Sequence, residues 1–264
     1  MLTQPFPDRW RVVPASVTGP DHLARGVENQ DAFGYRRLGD GQVLAVADGA
    51  GSRYRASLGS LLAVQAACDA AGEVLGVPPA GGAAWRQAAQ RWVRTILRLF
   101  DRRLAAVVGS GAAALRSDCA TTLLAVVAHP PRYLYANLGD GFLVVQHGDG
   151  GPHLVAPPDR GGGDVETVFL TSAGRTDALR VGLLEDDAVR GLALCTDGLI
   201  EAVLAADRWP DGSPRLYAPA DFAGYFAAVR GTRPEVADLS RRLQSAELAA
   251  TSRDDKTMVL AVRP

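Results

Sequence analysis

Residues 120–146 read ATTLLAVVAHPPRYLYANLGDGFLVVQ. Three apolar or alternating runs, 120–128, 132–137 and 142–146, are separated by Pro130-Pro131 and by Gly139-Asp140-Gly141. Apolar or alternating runs parted by such turn signals predict a meander in an antiparallel sheet. Upstream, 11–18 and 43–47 are short β-rich runs, whereas 56–76 and 85–108 place apolar residues at helical spacing on either side of the turn region GVPPAGGAA. Downstream, strands are expected at 165–170 and 192–196. The segment 157–187 is rich in Gly, Asp and Arg, with a mobile Gly161-Gly-Gly163, and reads as a surface flap. Helices at 199–205, 220–229 and 235–248, the last after the start signal Thr232-Arg-Pro234, precede a closing strand at 256–262. Sheets in the middle with helices outside define an α+β class. The expected form is a layered α+β sandwich. There is no internal repeat and no long linker, so residues 1–264 are expected to form one domain.

The composition is that of an ordinary globular chain, with 47% hydrophobic and 22% charged residues in 264. Twenty-eight Lys and Arg nearly cancel 29 Asp and Glu, so no overall field draws the chain to nucleic acid or an acidic membrane. The opening MLTQPFPDRW has neither a basic leader nor a long apolar stretch, and no later run approaches the roughly 18–20 apolar residues of a spanning helix. A cytoplasmic protein is expected. Cys68, Cys119 and Cys195 are widely spaced without a Cys-x-x-Cys pair and read as buried small hydrophobes, not as disulfides or zinc ligands.

Four stretches deliver a carboxylate from the end of an apolar segment: Val46-Ala-Asp48-Gly49, Asn137-Leu-Gly-Asp140-Gly141, Leu194-Cys-Thr-Asp197-Gly198 and Ser252-Arg-Asp254-Asp255. A carboxylate at the mouth of a buried strand is costly unless a cation meets it, so the recurrence points to a shared divalent ion. Asp-Gly is also the favoured hairpin turn, and Asp40-Gly41, Asp149-Gly150 and Asp211-Gly212 are assigned to turns. The spacings alone leave both readings open for the rest. His22, His129, His147 and His153 form no ligand cluster, which disfavours zinc and leaves the oxygen chemistry of Mg²⁺ or Mn²⁺.

In order, Asn29-Gln-Asp31-Ala32, Ala45-Val-Ala-Asp48-Gly49-Ala-Gly51-Ser52, Cys119-Ala-Thr-Thr-Leu, Asn137-Leu-Gly-Asp140-Gly141, Leu194-Cys-Thr-Asp197-Gly198 and Ser252-Arg-Asp254-Asp255-Lys-Thr resemble the motifs of metal-dependent protein phosphatases of the 2C type. Gly19-Pro-Asp-His22 resembles the bacterial branch. The motifs run from about residue 16 to 262. The resemblance implies a four-layer α-β-β-α sandwich of two mainly antiparallel sheets flanked by helix pairs, and a Ser/Thr phosphoprotein phosphatase that hydrolyses phosphomonoesters with water activated between two Mn²⁺ or Mg²⁺ ions. Asp48 would bridge the ions, the Gly49 carbonyl would bind the second, Asp197 and Asp254 would hold the first, and Asp140 would take a third. Asp31 would orient metal-bound water. The implied partner is a protein phosphorylated by a Ser/Thr kinase, met by a monomer without nucleic acid or membrane.

The chain departs from that pattern in three places. The pair usually written Asp-Asn is Asp254-Asp255, which makes Asp255 a possible substitute ligand. Ala50 stands where eukaryotic relatives carry a His. The phosphate-anchoring Arg falls on Gly26, leaving Arg25 one residue away and Arg53 or Arg55 as substitutes. His22 reads either as a structural cap or as a partner of Asp31. These departures support an alternative: a catalytically weak pseudophosphatase that binds phosphoproteins.

Overall fold

A computed structural model of the chain describes residues 10–109, 113–148, 150–159, 167–230 and 236–263. The chain opens with β1 (Arg11–Val17), a short helix α1 (Pro20–Arg25) and the hairpin β2 (Ala32–Leu38) and β3 (Gly41–Ala47). Two long helices, α2 (Ala56–Leu75) and α3 (Gly82–Val108), and the short α4 (Ala113–Ser117) follow. Next come β4 (Leu123–His129), β5 (Arg132–Leu138), β6 (Phe142–His147) and β7 (Pro152–Ala156), then α5 (Arg175–Ala178), β8 (Arg180–Glu185) and β9 (Val189–Cys195). The last third holds α6 (Ile200–Val203), β10 (Ala205–Arg208), β11 (Pro214–Tyr217), α7 (Ala223–Arg230), α8 (Val236–Leu243), α9 (Ala246–Thr251) and β12 (Lys256–Val262).

Ten of these twelve strands form two five-stranded antiparallel sheets, ordered β1-β12-β9-β6-β7 and β2-β3-β4-β5-β8, and β10 and β11 pair as a separate hairpin. Strand alternation sorts their side chains into three apolar layers. On β3, Val43, Ala45 and Ala47 face the long helices, while Leu44 and Val46 face the other sheet. On β12, Met258, Leu260 and Val262 pack under the C-terminal helices, while Val259 and Ala261 face inward. A strand covered on both faces carries no polar alternation, which is why β3, β4 and β12 read as continuous apolar runs. The four-layer sandwich follows.

The meander is corrected in one respect. β4 and β5 pair through the two-residue turn Pro130-Pro131, but β6 leaves for the other sheet, between β7 and β9. Gly139-Asp140-Gly141 is thus a crossing between sheets, and it sets Asp140 at the end of the sandwich. The turns at Asp40 and Asp211 are present; Asp149 lies outside the described residues.

Other differences have local causes. The expected strand at 165–170 is irregular over 167–170, where Leu170 plugs the helix-side core and its N–H donates to the Thr121 carbonyl; 165 and 166, like Gly161-Gly-Gly163 and Thr232-Arg-Pro234, lie outside the described residues. The flap segment contains α5 and β8. β2, β7 and β8 are edge strands, and β2 and β8 are half-exposed, which removes the apolar signal. The helix expected at 235–248 breaks at Ser245, whose hydroxyl caps α9 by accepting the Leu248 N–H. The helix at 199–205 shrinks to a 3₁₀ turn and α6. Unlike the sequence expectation, α2 has the length and apolar composition to cross a membrane, with a mean hydropathy of 1.3 over its most apolar window. It is a core helix here: its alanines lie against sheet and α3.

Candidate metal centre

Every strand that carries a motif ends or begins at the same edge of the sandwich. Asp48 follows β3, Asp140 sits between β5 and β6, Asp197 lies just past β9, Asp254 just before β12, and Asp31 just before β2. Antiparallel pairing aligns these ends within each sheet, since the C-terminus of one strand meets the N-terminus of its neighbour, and the crossing from β5 to β6 brings the ends of the two sheets together there. Carboxylate oxygens of Asp48, Asp140 and Asp197 lie within 4.8 Å of one another. Asp31 and Asp254 act on the same group through their charge.

The glycines after two of these aspartates are set by close approach. A Cβ on Gly49 would stand 2.7 Å from the Gln30 carbonyl oxygen, and one on Gly198 would stand 2.0 Å from that of Asp255. These Asp-Gly pairs are therefore packing positions, not hairpin turns.

The Asp48 peptide is clamped by the two threonines of Cys119-Ala-Thr-Thr. Its N–H donates to Thr122 Oγ1 at 3.0 Å, and its carbonyl accepts from the Thr122 N–H and from Thr121 Oγ1, both at 2.8 Å. Gly49 bridges Thr121, but the bonds around that bridge are made by Asp48 and Ala50, so the Gly49 carbonyl is not used in them.

Asp31 is held by a second network. Thr196 Oγ1 donates to Asp31 Oδ2 at 2.8 Å and accepts the Thr257 N–H at 3.0 Å; Thr257 Oγ1 and Asn29 Nδ2 both donate to Ser16 Oγ. Asp31 Oδ1 is buried with no donor among the described residues. One polar neighbour is the Asp48 carboxyl, itself an acceptor unless protonated.

Without a cation the cluster holds protons. Burial first, then the charges of Asp31, Asp197, Asp254 and Asp140, push the Asp48 carboxyl well above its usual range. Asp197 is pushed up to about 8 by burial and by Asp140, Asp254 and Asp31. Asp31 rises to about 7, chiefly through burial, against the hydrogen bond from Thr196 that favours its charged form. An orphaned acceptor, an all-oxygen donor set and mutual repulsion are what a hard divalent cation relieves, so these residues fit Mg²⁺ or Mn²⁺.

Asp255 is placed differently from Asp254. Its carboxylate is buried and accepts from Gly19 N–H at 2.7 Å and Gln30 N–H at 2.6 Å, with His22 Nδ1 2.8 Å away. Asp254 is exposed, with a carboxylate oxygen within 4.8 Å of atoms of His22 and Asp255, and its charge acts on Asp48 and Asp197. His22 accordingly pairs with Asp255, where the sequence offered Asp31 or a cap. Lys256, which carried no role in the sequence reading, is buried with Nζ donating to the Ser252 and Asp254 carbonyls at 2.7 and 2.9 Å. Burial lowers its pKa, opposed by Asp254, Asp255 and Asp31.

The three arginines differ in setting. Arg25, at the end of α1, is exposed with Nε donating to the Asp21 carbonyl at 3.2 Å. Arg53 is exposed in the loop after Asp48, and Arg55 is half-buried near Cys119. Beside Asp140 and Asp197 opens a cavity of about 410 Å³, bounded also by Thr167 and Ser252.

Residues 18–246 match the family model described as Protein phosphatase 2C. The chain is 30% identical over 265 residues to serine/threonine-protein phosphatase 3 of Escherichia coli strain K12, covering 96% of this chain and 98% of that protein. A crystal structure of a bacterial serine phosphatase matches with a TM-score of 0.66 at 16% identity, over 97% of this chain and 98% of its own. The serine/threonine phosphatase PstP of Mycobacterium tuberculosis matches with a TM-score of 0.58 at 21% identity, over 96% and 98%. The chain belongs to the protein phosphatase 2C family.

Proposed function

We propose that this protein is a serine/threonine phosphoprotein phosphatase dependent on Mn²⁺ or Mg²⁺, working as one catalytic domain. The observation that carries the proposal is the convergence of Asp31, Asp48, Asp140, Asp197 and Asp254 at one edge of the sandwich, with burial and mutual charge raising the pKa of Asp31, Asp48 and Asp197. Asp48 and the Gly49 carbonyl would hold one ion, Asp48, Asp197 and Asp254 the other, and Asp140 a third. Asp254 takes this role over Asp255 because three donors already occupy the Asp255 carboxylate. When bound, the ions supply an activated water and offset negative charge on the phosphoryl oxygens.

The chain's own groups do the rest. The threonine clamp fixes the Asp48 backbone, and so the point from which its side chain enters the site. Thr196 fixes Asp31 Oδ2 and leaves Oδ1 to accept a proton or orient water. Among the described residues, Arg25, whose Nε donates to the Asp21 carbonyl, has both terminal nitrogens available for a phosphate. The same proposal takes the protein as a monomer acting in the cytoplasm on proteins phosphorylated by a Ser/Thr kinase, with α2 a core helix and not a membrane span.

The test is Mn²⁺-dependent phosphate release from a phosphothreonine peptide by the parent and by Asp48→Asn. Release by the parent alone supports the reading. Silence in both, with Mn²⁺ binding demonstrated by calorimetry, overturns it in favour of a phosphoprotein-binding module.

A further inference from the structure

The sheet β2-β3-β4-β5-β8 ends in β8, whose outer edge pairs with no strand among the described residues. α2 covers β2, β3 and β4, and α3 packs on α2, so β8 lies beyond the covered part of the sheet. Between α3 and β8 runs a groove of about 590 Å³. Its floor is apolar, with Trp85, Ala89 and Val93 from α3 facing Leu134, Leu179 and Leu183. Val181 on the open edge is 44% exposed. An open strand edge beside an apolar trough is the setting in which an extended peptide adds as a further strand.

The rim of the groove carries a charge signal. Arg86 and Arg94 stand eight positions apart on α3, about 12 Å along the helix, and both are exposed. Neither meets a carboxylate among the described residues, whereas Arg98 of the same helix pairs with Glu73, and Arg103 with Asp69. The lining contains two guanidiniums and no carboxylate, in a chain whose net charge is −1.

The groove also leads to the metal centre. β8 begins at Arg180, whose guanidinium donates to the Gly139 carbonyl at 3.2 Å, next to Asp140. A chain lying along the six residues of β8 spans about 20 Å and emerges at that end. The wall there is fixed: Arg175 donates to both oxygens of Asp101, at 2.8 and 2.6 Å, and to the Leu170 carbonyl at 2.6 Å.

We propose that this groove docks an acidic, extended segment of the phosphoprotein substrate. The segment adds to the β8 edge, lays alternate apolar side chains on the floor and sets carboxylates against Arg86 and Arg94. Substrates are then selected by residues some distance from the phosphorylated one. The proposal rests on the phosphatase reading given above.

The probe is a fluorescein-labelled, unphosphorylated peptide alternating Leu or Val with Asp or Glu, beside one with Lys for every acid. Both are titrated with the full chain and with the double variant Arg86→Glu, Arg94→Glu, and followed by anisotropy. The acidic peptide should bind the parent, and charge reversal should weaken it about tenfold or more. Joined to a phosphothreonine peptide by a flexible linker, it should lower KM about tenfold in the parent and not in the variant. Turnover of the phosphothreonine peptide alone should match in both. No binding, equal binding by parent and variant, or equal binding of the two peptides would overturn the groove assignment. If the double variant melts early, Arg94→Ala alone carries the comparison. If no substrate releases phosphate, the phosphatase reading fails while the anisotropy still decides whether the groove takes an acidic segment.

Discussion

His22 Nδ1 lies 2.8 Å from Asp255 Oδ2, both residues buried, and ties α1 to the residue just before β12. The same carboxylate takes the N–H groups of Gly19 and Gln30, so one side chain fixes both ends of the segment that delivers Asp31. Position 255 thus builds the site, while position 254 faces it.

Replacing Asp255 by Ala leaves buried donors on Gly19, Gln30 and His22 unmatched, at about 1–3 kcal/mol each, so a loss of at least about 3 kcal/mol is expected. Asp254→Asn, at an exposed position, should change the stability of the metal-free chain by less than about 0.5 kcal/mol yet lower activity strongly. Urea unfolding in chelator, set beside phosphate release, separates the two. If Asp254→Asn unfolds as readily as Asp255→Ala, the division of roles is wrong.

How far the site was legible follows from the same residues. Asp48, Asp140, Asp197 and Asp254 could be read because each lies at the end of a largely buried strand, and such strands announce themselves as apolar runs; Asp31, at the head of the half-exposed β2, was legible only through its motif. Their assembly could not be read from spacing: Gly139-Asp140-Gly141 looks the same whether it turns a hairpin or crosses between sheets. Thr122, Thr196 and Ser16 were invisible in their roles, because a hydroxyl's partner is set by tertiary contact across up to 241 positions of sequence, as in Thr257 to Ser16. The edge strands β2 and β8 were missed since half-exposed strands carry arginines and glycines where a core strand carries valines.

The carboxylate cluster should reverse the usual effect of pH on stability. Asp31 and Asp197, raised to about 7 and about 8, bind protons in the folded state that the unfolded chain has already released above about pH 4. In that window the folded state holds more protons, so stability falls as pH rises and the contribution is gone above about pH 8. Metal-free protein should therefore lose melting temperature from about pH 5 to about pH 8, and Asp31→Asn should lose less. Saturating Mn²⁺ should flatten the parent. Parallel profiles for parent and variant in chelator would show that Asp31 does not titrate in this range.

Thr196→Val removes a donor to Asp31 and an acceptor for the Thr257 N–H while keeping the side-chain shape. A cost of about 1–3 kcal/mol is expected, together with a fall in turnover that Thr196→Ser restores. Failure of Ser to rescue would mean that packing of the methyl group, not the hydroxyl, matters at this position.

Arg25 is the nearest equivalent of the missing phosphate anchor, displaced by one residue and held to its own helix by a single hydrogen bond. If it contacts the phosphoryl group equally in ground and transition states, Arg25→Ala raises KM for a phosphopeptide about tenfold with little change in kcat. A guanidinium that engages only the developing charge would instead lower kcat at constant KM. Lysine at position 25 supplies charge without the planar fork, so it should restore binding only in part. Identical kinetic constants for parent and Arg25→Ala would remove Arg25 from the site and leave Arg53 and Arg55, on the loop after Asp48, to be tested in the same way.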